Sequence, residues 1–227
     1  MYDQIAGILS GPAFVKTHEL ISRSFFTRDP LVCASELVGT TVVWGRCGGV
    51  IVETEAYLTE HVEACHTFSR PSAREFVKRN QPGTAYIYFN YGMHWMLNVL
   101  IKGGPRNGLI LIRALEPRSG IALMKKRRGV DDIRQLCSGP GKLTQALAID
   151  DRHHELDLCV DPRHCFEDRE TPRLDVIADS RIGISRSAHL PWRFTLRGSP
   201  FVSRPVKVGA AGLNRSLTSR SRRRAIQ

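Results

Sequence analysis

Apolar and polar positions along the chain alternate in a way that predicts short helices feeding into strands. Asp29 and Pro30 open a helix, with Asp as N-cap and Pro at the first helical position. Leu31, Ala34, Leu37 and Val38 supply its apolar stripe, and Gly39 ends it. Thr40 to Arg46 and Val50 to Tyr57 read as two antiparallel strands joined by a turn at Cys47-Gly48-Gly49. Residues 58 to 82 are polar, basic and irregular, and read as a functional loop. Strands follow at 85–89, 95–101 and 109–115. A helix is expected over Arg118 to Arg128, with four cations crowding its last turn. Ser138-Gly139-Pro140-Gly141-Lys142 leads into another helix at 143–149. Residues 150 to 173 read as charged surface loop with a short strand at 158–160, before strands at 174–178 and 193–197. No repeat or linker interrupts this series. It predicts a mixed α+β fold: a single compact domain with a curved, mainly antiparallel sheet flanked by helices. The domain is expected over 1–207, with a basic, disordered tail over 208–227.

Charge changes the picture. Thirty-three Lys and Arg against 22 Asp and Glu leave +11, which favours an anionic partner. Five arginines in the last 20 residues account for part of this surplus and leave +6 for the rest. The uncharged stretch from Asn80 to Ile101 is long enough to test against a membrane. Its Asn, Gln, His and Tyr content would be costly in lipid, so it reads as buried strand. The beginning of the chain has no basic segment before its apolar residues 5–9, against an export signal. Six scattered cysteines form no C-x-x-C pair and read as reduced thiols.

The candidate chemistry begins at Val52-Glu53-Thr54-Glu55-Ala56-Tyr57. In a strand, Glu53, Glu55 and Tyr57 share one face. By itself this pattern fits a solvent-facing strand as well as a site. Tyr86 and Tyr88 share a face of a later strand, and Tyr91 sits at the Asn90–Gly92 turn, able to project from its tip. Arg113 directly follows four apolar residues, where a guanidinium seeks a carboxylate or phosphate; an exposed strand end is the alternative. The glycines around Pro140 and Lys142 suit phosphate binding at a helix start, but lack P-loop spacing. His61, Glu63, Cys65 and His66 lie within six residues, yet match no zinc-protease or deaminase spacing, so no metal is expected. Dinucleotide, nucleophile-elbow and helix-turn-helix signatures are also missing.

These blocks gain specificity in combination. V-E-T-E-A-Y at 52–57, then His66, P-G-T-A-Y-I-Y at 82–88, Y-G-M at 91–93, R-A-L-E-P at 113–117, L-C-S-G-P at 136–140 with Lys142-Leu143, and R-G-S-P at 197–200 follow in order. Across roughly residues 20 to 205 the chain resembles the alkyladenine-type 3-methyladenine DNA glycosylase family. The resemblance implies a monomeric, monofunctional enzyme without metal, cofactor or lyase step. Its implied partner is double-stranded DNA containing damaged purines, with no membrane association. The implied substrates are 3-methyladenine, 7-methylguanine, ethenoadenine and hypoxanthine. It implies that Glu55 activates the attacking water and that Arg113 positions that water and a phosphate. Tyr57, His66 and Tyr88 would sandwich the flipped base, and Asn98 would crowd the amino group of normal guanine. Tyr91 would wedge into the duplex with Met93 supporting it, and Lys142 would hold phosphate. The expected compartment is the cytoplasm, associated with the nucleoid, in a bacterium, and the nucleus in a eukaryote. His94 stands where some relatives carry an aromatic, and Thr67 to Lys78 matches the family poorly; both bear on lesion range. Two rival readings fit the chain less well. A non-catalytic DNA- or RNA-binding module on the same fold is disfavoured because Glu55, Arg113 and the aromatic positions are all retained. A helix-hairpin-helix glycosylase, suggested by residues 139–142, would require a largely helical chain.

Overall fold

The first helix forms where its cap signal places it. In the computed structural model, which describes residues 19–59, 70–169, 174–184, 187 and 189–206, α1 spans Pro30–Leu37. The Asp29 carboxylate accepts a hydrogen bond from the Leu31 N–H at 2.9 Å, satisfying one of the free donors at the helix start. Its buried face carries Cys33, Ala34 and Leu37, with Leu31 only half-buried. Gly39 follows at φ 93°, a left-handed conformation next to the Leu174 side chain.

Strands β1 (Thr41–Trp44) and β2 (Cys47–Leu58) form a hairpin, but the turn differs from the expected one. It consists of Gly45 and Arg46, with Gly45 at φ 59°, and the strands pair from Trp44 against Cys47. Gly48 and Gly49 instead lie inside β2, between neighbouring strands. A Cβ on Gly49 would stand 2.4 Å from the Glu116 carbonyl oxygen, and one on Gly48 would stand 2.7 Å from that of Val42. Backbone approach, rather than turn geometry, requires these glycines. We expect Gly49→Ala to destabilise the protein by about 1–3 kcal/mol, read as a lower urea midpoint at unchanged slope.

Four further strands and a second helix build the rest of the frame. They are α2 (Pro71–Arg79), β3 (Ala85–Asn90), β4 (His94–Ile101), β5 (Gly108–Ser119) and β6 (His164–Glu167). Two short strands, β7 (Val176–Asp179) and β8 (Arg193–Leu196), follow. The sheet runs β3-β4-β5-β2-β1-β6, and every pairing in it is antiparallel. β2 is long enough to pair with β5 along one side while β1 and then β8 share its other side. The sheet is also curled. Consecutive residues His153 and His154 reach its two sides: the ring of His153 packs on Trp44 of β1, and His154 Nδ1 accepts from the Ile87 N–H of β3. In a flat sheet those strands would be about 19 Å apart.

Several local expectations are corrected here. α2 forms within the stretch read as irregular, because Pro71 suits a first helical turn and Ala73 and Phe76 are buried three residues apart. β5 continues through Arg118 and Ser119, so the next helix, α3, starts only at Ile121 after Gly120. A short helix not anticipated from sequence, α4, covers Ile133–Leu136. α5 begins at Pro140 and ends at Leu147, which places Gly141 and Lys142 inside the helix and leaves Gly139 as its cap. No strand forms at 158–160. That segment turns, and the local strand is β6. The Asn80–Ile101 stretch is mainly the β3–β4 hairpin, and among the described residues no helix is long and apolar enough to cross a membrane. The tail at 208–227 lies outside the described residues.

Side chains of the two sheet faces join different clusters. Leu97, Val99, Ile101, Ile110 and Ile112 belong to the main core with α1 and α5. Leu100, Leu109 and Tyr86 pack on the other side with Ala73 and Phe76 of α2, and Tyr57 and Tyr88 border that smaller cluster. The second face carries the candidate site residues Tyr57 and Tyr88.

Candidate active site

Directly opposite residues in a ladder project to the same face. Glu55 of β2 stands opposite Leu111 of β5, Leu111 opposite Asn98 of β4, and Asn98 opposite Tyr86 of β3. These four residues form one row across the sheet, with Asn98 two strands, about 10 Å, from Glu55. Tyr57 and Tyr88 lie two residues along from Glu55 and Tyr86, and therefore on the same face. Asn98 is buried and donates through Nδ2 to the Tyr86 carbonyl at 3.1 Å.

Arg113 comes from an irregularity in the β2–β5 ladder. Glu53 pairs with Ala114 and Thr54 with Ile112, which leaves Val52 and Arg113 outside the paired register. Such a bulge re-aims a side chain at a functional site. The Arg113 guanidinium bonds Glu53 Oε1 through Nε at 3.0 Å and Glu55 Oε2 through Nη1 at 3.2 Å. Both glutamates are fully buried, and Arg113 is nearly so. The alternatives of a solvent-facing E-x-E-x-Y strand and an exposed Arg113 are thereby excluded.

The two carboxylates are held differently. Glu53 is enclosed by donors: Arg113 Nε, Arg193 Nε at 2.7 Å and Ser203 Oγ at 2.8 Å on one oxygen, and the Ser203 N–H at 2.6 Å on the other. Burial alone would raise its pKa, but the two arginines and the Ser203 N–H outweigh this and hold it below the ordinary value. Glu55 accepts from Tyr57 OH at 2.7 Å and Arg113 on Oε2, and from the Ile182 N–H at 2.7 Å on Oε1. Its burial prevails over Arg113, Ile182 and Tyr57, so its pKa is raised. Two neighbouring carboxyl groups with pKa values pushed apart are a hallmark of acid–base sites. Burial, with Glu55 beside it, pushes the Tyr57 phenol up as well, so Tyr57 stays a donor.

Rings and charges border this pair. The Arg181 guanidinium lies 4.7 Å from the centre of the Tyr57 ring, and that of Arg70 lies 5.9 Å from that of Tyr88. These π-faces therefore already meet cations. At the tip of the β3–β4 hairpin, Tyr91 has φ 50° and is 80% exposed, and Met93 is 67% exposed. Lys142, in the first turn of α5, donates to Gln135 Oε1 at 2.9 Å. The same turn abuts the hairpin, since Gly141 packs against His94. His66 and the His61–His66 cluster lie outside the described residues.

Sequence reasoning missed Arg193, Asp179, Ser203 and the Arg181–Ile182 pair. Arg193 had a visible signal, a cation in an apolar strand beside Trp192 and Phe194, the same pattern that exposed Arg113. Asp179 ends the short strand β7 and reaches the site through Arg193, while Ser203 and Ile182 bond the glutamates from irregular segments, each through its backbone N–H.

The sequence matches the methylpurine-DNA glycosylase family over residues 24–200. The chain belongs to that family. Similar curated proteins come from bacteria and carry the name "Putative 3-methyladenine DNA glycosylase". One from Rhodopseudomonas palustris strain BisB18 is 46% identical over 195 residues, covering 86% of this chain and 96% of the relative. One from Nitrobacter winogradskyi is 44% identical over 188 residues, covering 82% and 88%. One from Rhizobium etli is 43% identical over 185 residues, covering 82% and 89%. This member of the methylpurine-DNA glycosylase family is accordingly a DNA glycosylase of base excision repair.

Proposed function

We propose that the enzyme flips alkylated or deaminated purines out of duplex DNA and hydrolyses their N-glycosidic bond, with Glu55 activating the water. The substrates we assign are 3-methyladenine, 7-methylguanine, ethenoadenine and hypoxanthine. The observation that carries the reading is the raised, buried Glu55 carboxyl, bonded to Arg113 and Tyr57 on a face shared with Asn98 and Tyr88. A base cannot be attacked inside the stack, so it must be extruded at a cost of a few kcal/mol that lesions lower. The π-faces of Tyr57 and Tyr88, with His66, favour the positively charged alkylated purines over neutral bases. Among the described residues Glu55 Oε1 accepts one hydrogen bond and keeps capacity for a water proton. As the bond breaks, the same carboxylate stabilises the cationic sugar. Arg113 orients both carboxylates and offers charge to a phosphate. Asn98 excludes the amino group of normal guanine. Lys142 would exchange its Gln135 bond for a phosphate oxygen.

Duplex DNA carrying ethenoadenine or 3-methyladenine, incubated with the enzyme and then treated with alkali, should be cut at the lesion. Borohydride should trap no covalent protein–DNA adduct, as expected for a monofunctional enzyme without lyase chemistry. The active form is a monomer, working in the bacterial cytoplasm where it meets the nucleoid. Tyr91 fills the space left by the flipped nucleotide, with Met93 behind it. Tyr91→Ala should therefore lower excision from duplex about tenfold, the worth of one base–aromatic contact. Excision from the same lesion in a single strand should barely change, and equal loss on both substrates would contradict the wedge role.

A further inference from the structure

At the opposite end of β2 from Glu55, a cleft of about 350 Å³ opens beside the β1–β2 turn. Trp44, Arg46, Arg127, Arg152, His153 and His164 line it. Cys47, the partner of Trp44, is eight residues along β2 from Glu55, about 26 Å of extended strand. The cleft is therefore distinct from the candidate active site.

Two independent observations mark it as more than a surface dent. First, Trp44 is 4% exposed, and its indole N–H is buried with no hydrogen-bond partner among the described residues. An unsatisfied buried donor lining a cleft calls for an acceptor. Second, the cations around it are incompletely neutralised. Asp150 is taken by Arg152 and His153, and Asp161 by Arg163 and His164. Arg127 is held by the Ala146 carbonyl at 2.8 Å and the Cys47 sulfur, and by no carboxylate among the described residues. Arg46 is exposed at the turn. The rings of Trp44, His153 and His164 pack against one another at 5.0 to 5.6 Å, which makes the wall rigid.

We infer that this cleft is a second anion site that binds a phosphate group through the Arg46 and Arg127 guanidiniums and the Trp44 indole N–H. Guanidinium forks suit phosphate oxygens, and the unpartnered indole N–H in the same wall would supply a further donor. The phosphate belongs either to a free nucleotide or to the DNA backbone beyond the lesion, and the chemistry is common to both.

The test follows the Trp44 indole N–H resonance in the full, ¹⁵N-labelled chain, assigned by its disappearance in Trp44→Phe. Inorganic phosphate, AMP and undamaged duplex DNA are titrated separately. If phosphate or AMP shifts the resonance saturably and Arg46→Gln raises the dissociation constant about tenfold, the free-nucleotide source is supported. If only duplex shifts it, and Arg46→Gln lowers the slope of log K against log salt by about one, the backbone source is supported. No shift with any probe would overturn the proposal, as would an Arg46→Gln variant that binds like the parent. Arg46 is an exposed turn residue, so its variant should fold, and its excision rate at saturating DNA should match the parent. That control keeps the outcome separate from the role of Glu55.

Discussion

Glu55→Gln should reduce excision by about 10²–10⁴-fold while leaving duplex binding nearly intact. The amide has the shape of the acid and its oxygen still accepts from Tyr57 or Ile182, but it cannot take a proton from water or offset a cationic sugar. Single-turnover excision measured beside a binding titration separates the two effects, and full activity in the variant would remove Glu55 from the mechanism. The pH profile gives a second reading. Because burial raises the Glu55 pKa above 4.5, the acid limb of kcat/KM should have its midpoint above that value, with activity rising as the carboxylate forms. Stability should respond with the opposite sign. A carboxyl whose folded pKa is raised contributes stability below its unfolded pKa and loses it as pH rises through the folded one. Glu55→Gln should therefore be as stable as the parent at neutral pH, or more so.

Glu53→Ala is expected to be the most damaging change to the fold, at about 3–5 kcal/mol. Arg113 and Arg193 both direct Nε at Glu53 Oε1, and Ser203 bonds it twice, so truncation takes a carboxylate from two buried guanidiniums and removes two of the bonds that hold the 199–206 segment. Arg193 keeps Asp179 at 3.3 Å and the Arg204 carbonyl, and Arg113 keeps Glu55, so each cation retains partial compensation. A urea midpoint measured at neutral pH checks the magnitude. The depressed Glu53 pKa adds a sign. Its stabilisation is present above the unfolded carboxyl value and is lost as pH falls through the folded one. The parent should thus lose stability in acid more steeply than the Glu53→Ala variant. Parallel acid profiles would show that Glu53 is not the group responsible.

The contrast between these neighbours explains why the site was only partly legible. Glu55, Tyr57 and Arg113 stand in motif blocks whose order pointed to them, and Asn98 was indicated only by the family resemblance those blocks carry. The local pattern could not tell a buried E-x-E-x-Y strand from an exposed one, because burial of Glu53 and Glu55 depends on cations distant in sequence. Arg193 is 140 residues from Glu53, and Ser203 is 150. Nor could it distinguish the roles of the two acids by environment, since each is followed by a small residue, Thr54 or Ala56, in the same strand. The difference arises because Glu53 receives two guanidiniums and Glu55 receives one, shared.

Local chemistry was sufficient for the helix that Asp29 caps, for strands rich in β-branched and aromatic residues, and for the antiparallel hairpin at Tyr91. Each depends on groups within a few residues of one another. Tertiary structure decided the rest: that Gly48 and Gly49 serve close strand contact instead of a turn, that 71–79 is helical against the Tyr86 face, and that the sheet curls. It also decided that β2 is shared between β1 and β8, which brings Arg193 and Asp179 beside Glu53. Sequence specifies side-chain chemistry and short-range periodicity. The protonation preference of a buried carboxyl is set by which distant charges the closed fold brings within about 3 Å of it.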